Sequence, residues 1–215
     1  DRMESDDPEG IHLTGEALRR TLGAQMPGKW QTHYDATAAD RYELSPGAKG
    51  ARRLRSVALG YIAASGAADA ASLAYRQFQT ADNMTDRQGA LTVLGNGYSS
   101  EREIALRDFH ARYAHDPLVI DKWFATQALS IRDDTLEAVI RLSAHADFSI
   151  ANPNRLRSLV SSFAANQRAF HSGNGEGYRF LTDMILAVDK INPQSAARLV
   201  TPLGRWRRFG SDKGE

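Results

Sequence analysis

The clearest structural signal in the chain lies in residues 100–130, SEREIALRDFHARYAHDPLVIDKWFATQALS. Ser100 and Glu103 have the spacing of a capping box, in which each side chain satisfies a backbone N–H group at a helix start. Asp116 then precedes Pro117, and proline at the first helical position loses nothing because that N–H group has no helical partner. The segment therefore predicts two helices of about twelve residues, which are antiparallel because their connection is short.

The same start signals recur along the whole chain. Five prolines follow a residue whose side chain can cap a helix: Asp7-Pro8, Ser45-Pro46, Asp116-Pro117, Asn152-Pro153 and Asn192-Pro193. Three pairs have capping-box spacing: Thr85 with Gln88, Ser100 with Glu103, and Asp134 with Glu137. The caps at positions 85, 100, 116, 134 and 152 are 15, 16, 18 and 18 residues apart. Two such intervals make a helix pair of roughly 34 residues, a length typical of helical-repeat solenoids.

Composition also predicts an all-α fold. The chain has 32 Ala and 20 Leu against 7 Val and 9 Ile, and the first two residue types enter helices at lower cost than the β-branched ones. The tetratricopeptide signature is missing, so the repeat favours HEAT- or armadillo-like helix pairs. Nearly every turn between Leu118 and Leu129 is apolar, which predicts a helix buried on most sides with Trp123 and Phe124 in the core. We expect a single domain over residues 1–215, since no linker divides the chain convincingly.

Charge and cysteine content exclude several classes of protein. The 27 Lys and Arg residues against 26 Asp and Glu residues give a net charge of +1, so no global field attracts nucleic acid or a membrane surface. Cysteine is absent, which excludes disulfides and thiolate metal sites. No apolar run approaches the ~18–20 residues of a membrane span. We therefore expect neither a nucleic acid nor a membrane as a partner.

Motifs that carry chemistry are missing. The sequence has no HExxH zinc motif, no GxSxG nucleophile and no phosphate-binding GxxxxGK(S/T) loop. The glycine-rich segment HSGNGEG, residues 171–177, follows no predicted strand and has no lysine after it, so it predicts a flexible turn between helices. We predict no metal site and no catalytic residue in this chain.

Arginine is unusually placed in two segments that open with Asn-Pro. The stretches NPNRLRS (152–158) and NPQSAAR (192–198) put arginine in the first two turns of a predicted helix, where the helix dipole opposes positive charge. Gln194 and Arg198 are four residues apart and so share one helix face. Such groups suit a wall that binds a polar or anionic ligand, for instance a carboxylate. The alternative is an exposed arginine tolerated at small cost.

Two arginine clusters permit a nucleic-acid hypothesis, because arginine and aromatic rings together bind phosphates and stack on bases. The clusters are Arg52, Arg53 and Arg55, and Arg205, Arg207 and Arg208 around Trp206. With almost no net charge, we instead expect solvated helix faces or contacts with a partner protein.

Four motifs together carry a resemblance to a known family. In chain order they are DNMTDR (82–87), VIDKWF (119–124), NPNRLRS (152–158) and NPQSAAR (192–198). In this order and spacing they resemble the C-terminal domain of bacterial aminopeptidase N, in the M1 family of zinc metallopeptidases. The resemblance runs over almost the whole chain.

The resemblance implies an architecture, a parent enzyme and partners. The family's domain is a right-handed superhelix of antiparallel helix pairs. The zinc, its HExxH ligands and the amine-binding GxMEN segment lie in preceding domains, and neither motif is present here. It follows that this chain is a non-catalytic part of a longer, cytoplasmic bacterial aminopeptidase, inactive alone and without a cofactor of its own. Its implied partners are the preceding catalytic domains and peptide substrates.

By the same resemblance, the domain covers the active site and lines the cavity through which peptides enter. Arg157, Gln194 and Arg198 are the residues implied to face this cavity. The family continues with further helix beyond the position of Phe209, whereas residues 210–215 here predict a disordered tail. A free-standing helical-repeat module that binds a peptide or protein in its groove remains the alternative function.

Overall fold

The structure is a computed structural model that describes residues 7–172 and 175–208. Most of these residues lie in helices joined by short turns. Those residues contain no strand, which confirms the predicted all-α class. A π-helical turn (Arg157–Ser161) lies between α9 and α10, and a 3-10 helix (Thr201–Arg208) follows α13. In chain order the α-helices are α1 (Pro8–Gln25), α2 (Pro27–Ala36), α3 (Pro46–Ala64), α4 (Ala70–Thr80), α5 (Met84–Gly95), α6 (Ser100–Tyr113), α7 (Pro117–Ala128), α8 (Thr135–Ser143), α9 (Pro153–Leu156), α10 (Ser162–Ala165), α11 (Gln167–Phe170), α12 (Glu176–Asp189) and α13 (Pro193–Val200).

Five helices begin at the predicted proline with the preceding side chain as the cap. The side-chain oxygens of Asp7 and Ser45 accept hydrogen bonds from the backbone N–H groups three residues later, at 3.0 and 3.1 Å. Asp116, Asn152 and Asn192 make the same kind of bond at the starts of α7, α9 and α13. The prediction is confirmed at all five positions. A cap followed by proline determines the helix start through bonds and backbone angles within a few residues, so tertiary packing is not needed to predict it.

The predicted capping box at Thr85 is wrong. Helix α5 begins at Met84, and Oδ1 of Asn83 accepts the capping bond from the backbone N–H of Asp86 at 2.9 Å. Nδ2 of Asn83 also donates to Oδ2 of Asp86 at 2.9 Å. Asparagine is a stronger cap than threonine, so the helix starts two residues earlier than the sequence pattern indicated.

The other two predicted boxes need smaller corrections. Helix α6 begins at Ser100, but the oxygen that accepts the capping bond from Arg102 N is Oγ of Ser99, at 3.3 Å. Helix α8 begins directly after Asp134 as expected, yet Asp134 makes no capping bond. Its two carboxylate oxygens instead accept from Nε and Nη2 of Arg132, at 2.8 and 2.6 Å. A bidentate charged donor is a better partner for a carboxylate than a single backbone N–H group.

The described residues cluster into two compact units. The first unit is residues 13–112, and the second unit is residues 7–12 with the described residues from 113 to 208. A single domain over 1–215 stays a prediction, and the predicted tail at 210–215 lies outside the described residues. Across the described ranges, none of the helices has both the length and the apolarity that a membrane crossing requires.

In the first unit, helices α2 to α5 pack against helices that are next to them or one helix away in the sequence. Helix α2 packs against α3, and α5 packs against both α3 and α4. The short connection between α4 and α5 makes these two helices antiparallel. Trp30 of α2 stacks on Tyr61 of α3 with 4.2 Å between the ring centroids. The most deeply buried side chains of the unit include Leu59, Phe78, Leu91 and Phe109.

The second unit is organised around α7. This helix packs against α8, α9, α10 and the π-helical turn, while α12 packs against α11 and α13. Trp123 and Phe124 of α7 are buried, as predicted. Leu118 and Leu129 remain 67% and 49% exposed, so the predicted burial applies to the middle of the helix and not to its ends.

The described residues at both ends of the predicted flexible turn, 171–177, are held by packing, and positions 173 and 174 lie outside the described residues. His171 is buried, and its Nδ1 lies 2.6 Å from Oη of Tyr178. Gly175 precedes α12 with a φ of 74°, a left-handed conformation that favours glycine. Gly177 is buried so closely against α11 that a Cβ there would lie 3.2 Å from Cα of Phe170. The residues on both sides of the turn are therefore fixed by packing.

Candidate functional site

Arg157 lies at the start of the π-helical turn in the second unit. The preceding helix α9 is capped by Asn152, whose Oδ1 accepts from the backbone N–H groups of Asn154 and Arg155 at 3.0 and 3.2 Å. The Arg157 side chain is exposed, and its Nη1 donates to Oδ1 of Asn154 at 3.1 Å. The guanidinium makes no other hydrogen bond to a residue that the structure describes, so its remaining donors can bind a ligand. π-Helical turns are frequent at functional sites in proteins.

Gln194 and Arg198 lie one turn apart on α13, and both are exposed. Asn192 caps this helix by accepting from Ser195 N at 3.0 Å, and the opposite face of the helix is buried through Ala196. Neither Gln194 nor Arg198 makes a side-chain hydrogen bond or ion pair to any residue that the structure describes. The carboxamide and the guanidinium therefore share an unpartnered polar face.

Contrary to the prediction, the helix dipole does not oppose the positive charge of Arg198. Helix α13 has eight residues, so Arg198 stands in its last turn, where a positive charge is stabilised by the dipole. Arg157 follows α9 and lies in the π-helical turn. The arginine that does occupy the first turn of a helix is Arg155, and it is buried.

Arg155 is the residue that the sequence analysis missed. Its Nη1 donates to Oδ1 of Asp121 on α7 at 2.8 Å, and its guanidinium lies over the ring of Phe124 at 5.1 Å from the centroid. Oγ of Ser158 donates to the same Asp121 oxygen at 3.3 Å. A signal was present in the sequence, because Asp121 is an acid inside the most apolar helix and such a group requires a partner.

The motif at residues 82–87 is also structural. Asn83 caps α5, and Nε of Arg87 donates to the backbone oxygen of Phe78 at 3.1 Å. A second donor of Arg87 bonds to the backbone oxygen of Ala81. These bonds satisfy carbonyl groups at the end of α4, which have no partner within that helix. Each of the four family motifs thus contains at least one residue that caps a helix or holds neighbouring helices together.

Two of the three arginines of the first cluster make hydrogen bonds and ring contacts within the first unit. Arg52 is buried, with Nη1 donating to the backbone oxygen of Glu43 at 2.9 Å. Arg55 lies over the ring of Tyr34 at 4.4 Å from the centroid and donates from Nε to Oε1 of Gln77 at 3.1 Å. The expected solvated face is therefore wrong for both residues, and Arg53 alone of the three is exposed. The second cluster lies at positions 205–208, whose side chains are outside the part of the chain that the structure describes.

Tyr178 in the second unit has a pKa that is shifted by burial. Burial raises the pKa of the Tyr178 phenol above its ordinary value of 10.0, because the phenolate is poorly solvated there. Its Oη lies 2.6 Å from Nδ1 of the buried His171. The two groups connect α12 to the end of α11.

Antiparallel helix pairs with this packing define the chain as a protein of the armadillo-like helical-repeat class. The chain belongs to the family described as "Domain of unknown function (DUF3458_C) ARM repeats", whose model matches residues 1–215. This confirms the predicted helical-repeat fold.

Named relatives agree with the predicted resemblance. The chain is 39% identical to "Aminopeptidase N" of Caulobacter vibrioides over 215 residues, 99% of this chain and 25% of that protein. It is 37% identical to "Aminopeptidase N" of Haemophilus influenzae over 208 residues, 96% of this chain and 24% of that protein. The chain thus spans about a quarter of the length of these curated relatives. The resemblance to the C-terminal domain of bacterial aminopeptidase N is confirmed.

A solved structure shows the same fold. Aminopeptidase A of Legionella pneumophila, in complex with aspartic acid, superposes with a TM-score of 0.90 at 28% sequence identity. The match covers 99% of this chain and 26% of the Legionella chain.

Proposed function

We propose that this chain is a non-catalytic helical domain of a zinc-dependent aminopeptidase, where it covers the active site and lines the peptide entry cavity. The observation that carries the proposal is the 35–39% identity to three bacterial proteins named Aminopeptidase N over at least 96% of this chain. A cytoplasmic location in a bacterium belongs to the same proposal.

Arg157, Gln194 and Arg198 are the residues proposed to bind the peptide beyond its scissile bond. All three are exposed, and Gln194 and Arg198 share one face of α13. A guanidinium binds a carboxylate through two parallel hydrogen bonds. A carboxamide donates to a peptide oxygen and accepts from a peptide N–H group. Together these groups would orient the far end of a peptide while its N-terminal residue is processed elsewhere.

The zinc of the proposed enzyme would be held by the preceding catalytic domains. This chain does not contain the HExxH pattern that provides two histidines on one helix face. When bound in those domains, zinc supplies Lewis-acid activation of water for attack on the peptide carbonyl. The contribution of this chain is binding and exclusion of solvent.

The proposal is tested by comparing two purified proteins on an aminoacyl-anilide. The 215-residue chain alone is expected to release no amino acid, and the polypeptide that carries it behind a catalytic region is expected to do so. The isolated catalytic region should bind the isolated chain in size-exclusion chromatography. Turnover by this chain alone that survives removal of contaminating protease would overturn the proposal.

A further inference from the structure

A groove of about 710 Å³ runs along the first unit between α3 and α5. The α3 wall is formed by positions 49, 53, 57 and 60, and the opposite wall by positions 85, 88 and 92 of α5 and by position 96 directly after it. Each set recurs at helical spacing over 11 residues, which is about 16 Å along a helix axis. At the floor the helices come so close that a Cβ on Gly89 would lie 2.7 Å from Oγ of Ser56.

The charges that line the groove are all positive. They are Lys49 and Arg53, one turn apart on α3, and Arg19 on α1. Within the described part of the chain, neither Lys49 nor Arg53 has an ion pair, and no carboxylate lines the groove. Arg19 is partly neutralised by Glu16, whose Oε1 lies 3.3 Å from Nη1. Lys49 and Arg53 therefore leave the α3 wall with a net positive charge.

The uncharged lining matches a peptide backbone. Gln88 offers a carboxamide that both donates and accepts hydrogen bonds. Val57, Tyr61 and Val93 supply apolar surface between the polar groups. An extended peptide rises about 3.3 Å per residue, so a groove of about 16 Å accommodates about five residues.

We propose that the groove between α3 and α5 binds short extended peptide segments that carry two or more carboxylates. Lys49 and Arg53 would pair with the carboxylates, and the carboxamide of Gln88 on α5 would bond to the peptide backbone. The inference does not rest on the proposed function, because the groove shares no residue with Arg157, Gln194 and Arg198. Either proposal can fail while the other holds.

Fluorescence anisotropy with two labelled pentapeptides tests the charge requirement. One N-acetylated peptide has glutamate at alternate positions, and the matched peptide has glutamine there. We expect the acidic peptide to bind more tightly, and the double variant Lys49→Gln/Arg53→Gln to weaken it about tenfold, since two exposed ion pairs are lost. The matched control is Arg76→Gln, an exposed arginine of α4 outside the groove, which should not change binding.

A second pair of variants tests the location without removing charge. Both Gly60 and Gly50 lie on α3 with open space where a Cβ would stand, but only Gly60 lines the groove. Gly60→Leu should abolish binding of the acidic peptide by filling the groove, and Gly50→Leu should leave it intact. Circular dichroism checks that both variants are folded.

Three results would overturn the assignment. The first is equal binding of the glutamate and glutamine peptides, and the second is unchanged binding by both the double variant and Gly60→Leu. The third is a single-stranded oligonucleotide of equal charge that binds more tightly and displaces the peptide, which would make the groove a nucleic-acid site.

Discussion

Nη1 of Arg155 lies 2.8 Å from Oδ1 of Asp121, and the two side chains are only 8% and 18% exposed. Asp121 belongs to the motif VIDKWF on α7, and Arg155 belongs to NPNRLRS at the start of α9. The ion pair thus joins two of the four segments that carry the family resemblance. These segments hold α9 against α7, and the exposed Arg157 follows two residues after the buried ion pair.

The first prediction concerns the stability of this pair. Arg155→Met and Asp121→Leu should each lower the free energy of unfolding by about 3 kcal/mol, because each leaves an uncompensated buried charge. The double variant should recover most of the loss, since two apolar side chains then replace the pair. Urea unfolding followed by circular dichroism measures all three values.

Arg157→Met is the matched control, because it changes an exposed arginine in the same motif. We expect a change within about 0.5 kcal/mol for it. Equal losses for Arg155→Met and Arg157→Met would contradict the structural role assigned to Arg155.

The burial of Arg155 could not be predicted from the sequence, although the start of its helix could. Arg155 and Arg157 stand two residues apart in one motif, and their helical start was predicted correctly from Asn152 and Pro153. Which arginine is buried depends on how α9 packs against α7, a contact between residues more than thirty positions apart. Local patterns do not contain that information, so the exposed candidate was identified while the buried anchor was missed.

The second prediction distinguishes the true cap of α5 from the predicted one. Asn83→Ala should cost about 1 kcal/mol of stability, because the backbone N–H of Asp86 loses its acceptor. Thr85→Ala, at the position favoured by the sequence pattern, should have little effect. Thermal unfolding of the two variants gives the comparison, and a larger loss at Thr85 would restore the original prediction.

The third prediction concerns the approach of α12 to α11. Gly177→Ala would place a Cβ 3.1 Å from the carbonyl carbon of Phe170 and closer still to its oxygen, and backbone atoms cannot move aside cheaply. We expect a loss of about 1–3 kcal/mol from this overpacking. Gly50→Ala on α3, where a Cβ meets open space, should instead stabilise the chain by roughly 0.5–1 kcal/mol. Destabilisation of similar size in both would indicate a general effect of replacing glycine.

The fourth prediction follows from the raised pKa of Tyr178. Because the folded state favours the protonated phenol, its contribution to stability is complete below pH 10 and is lost as the pH rises through the folded-state pKa. Unfolding free energies at pH 9 and pH 11 should therefore differ more for the unaltered chain than for Tyr178→Phe. An equal pH dependence in the two proteins would contradict the burial effect.

Helix starts were predictable where one residue both caps and precedes proline, as at Asp116 and Asn192. They were not predictable at α2, which begins after Met26 without a side-chain cap, or at α12, which begins after the left-handed Gly175. Gln194 and Arg198 were predicted to share a face, and the structure exposes both on α13, while their binding role stays a prediction.

The central claim is tested most directly by the kinetics of Arg198→Ala in an aminopeptidase polypeptide that carries this chain. The measurement is kcat/KM for a multi-residue peptide and for a single-residue chromogenic substrate, with Arg141→Ala as the control because Arg141 is also exposed in the last turn of its helix. The account predicts about a tenfold loss for the peptide, from one charge-assisted hydrogen bond, with the chromogenic substrate and the control unchanged. An equal loss for both substrates, or no loss for either, would contradict it.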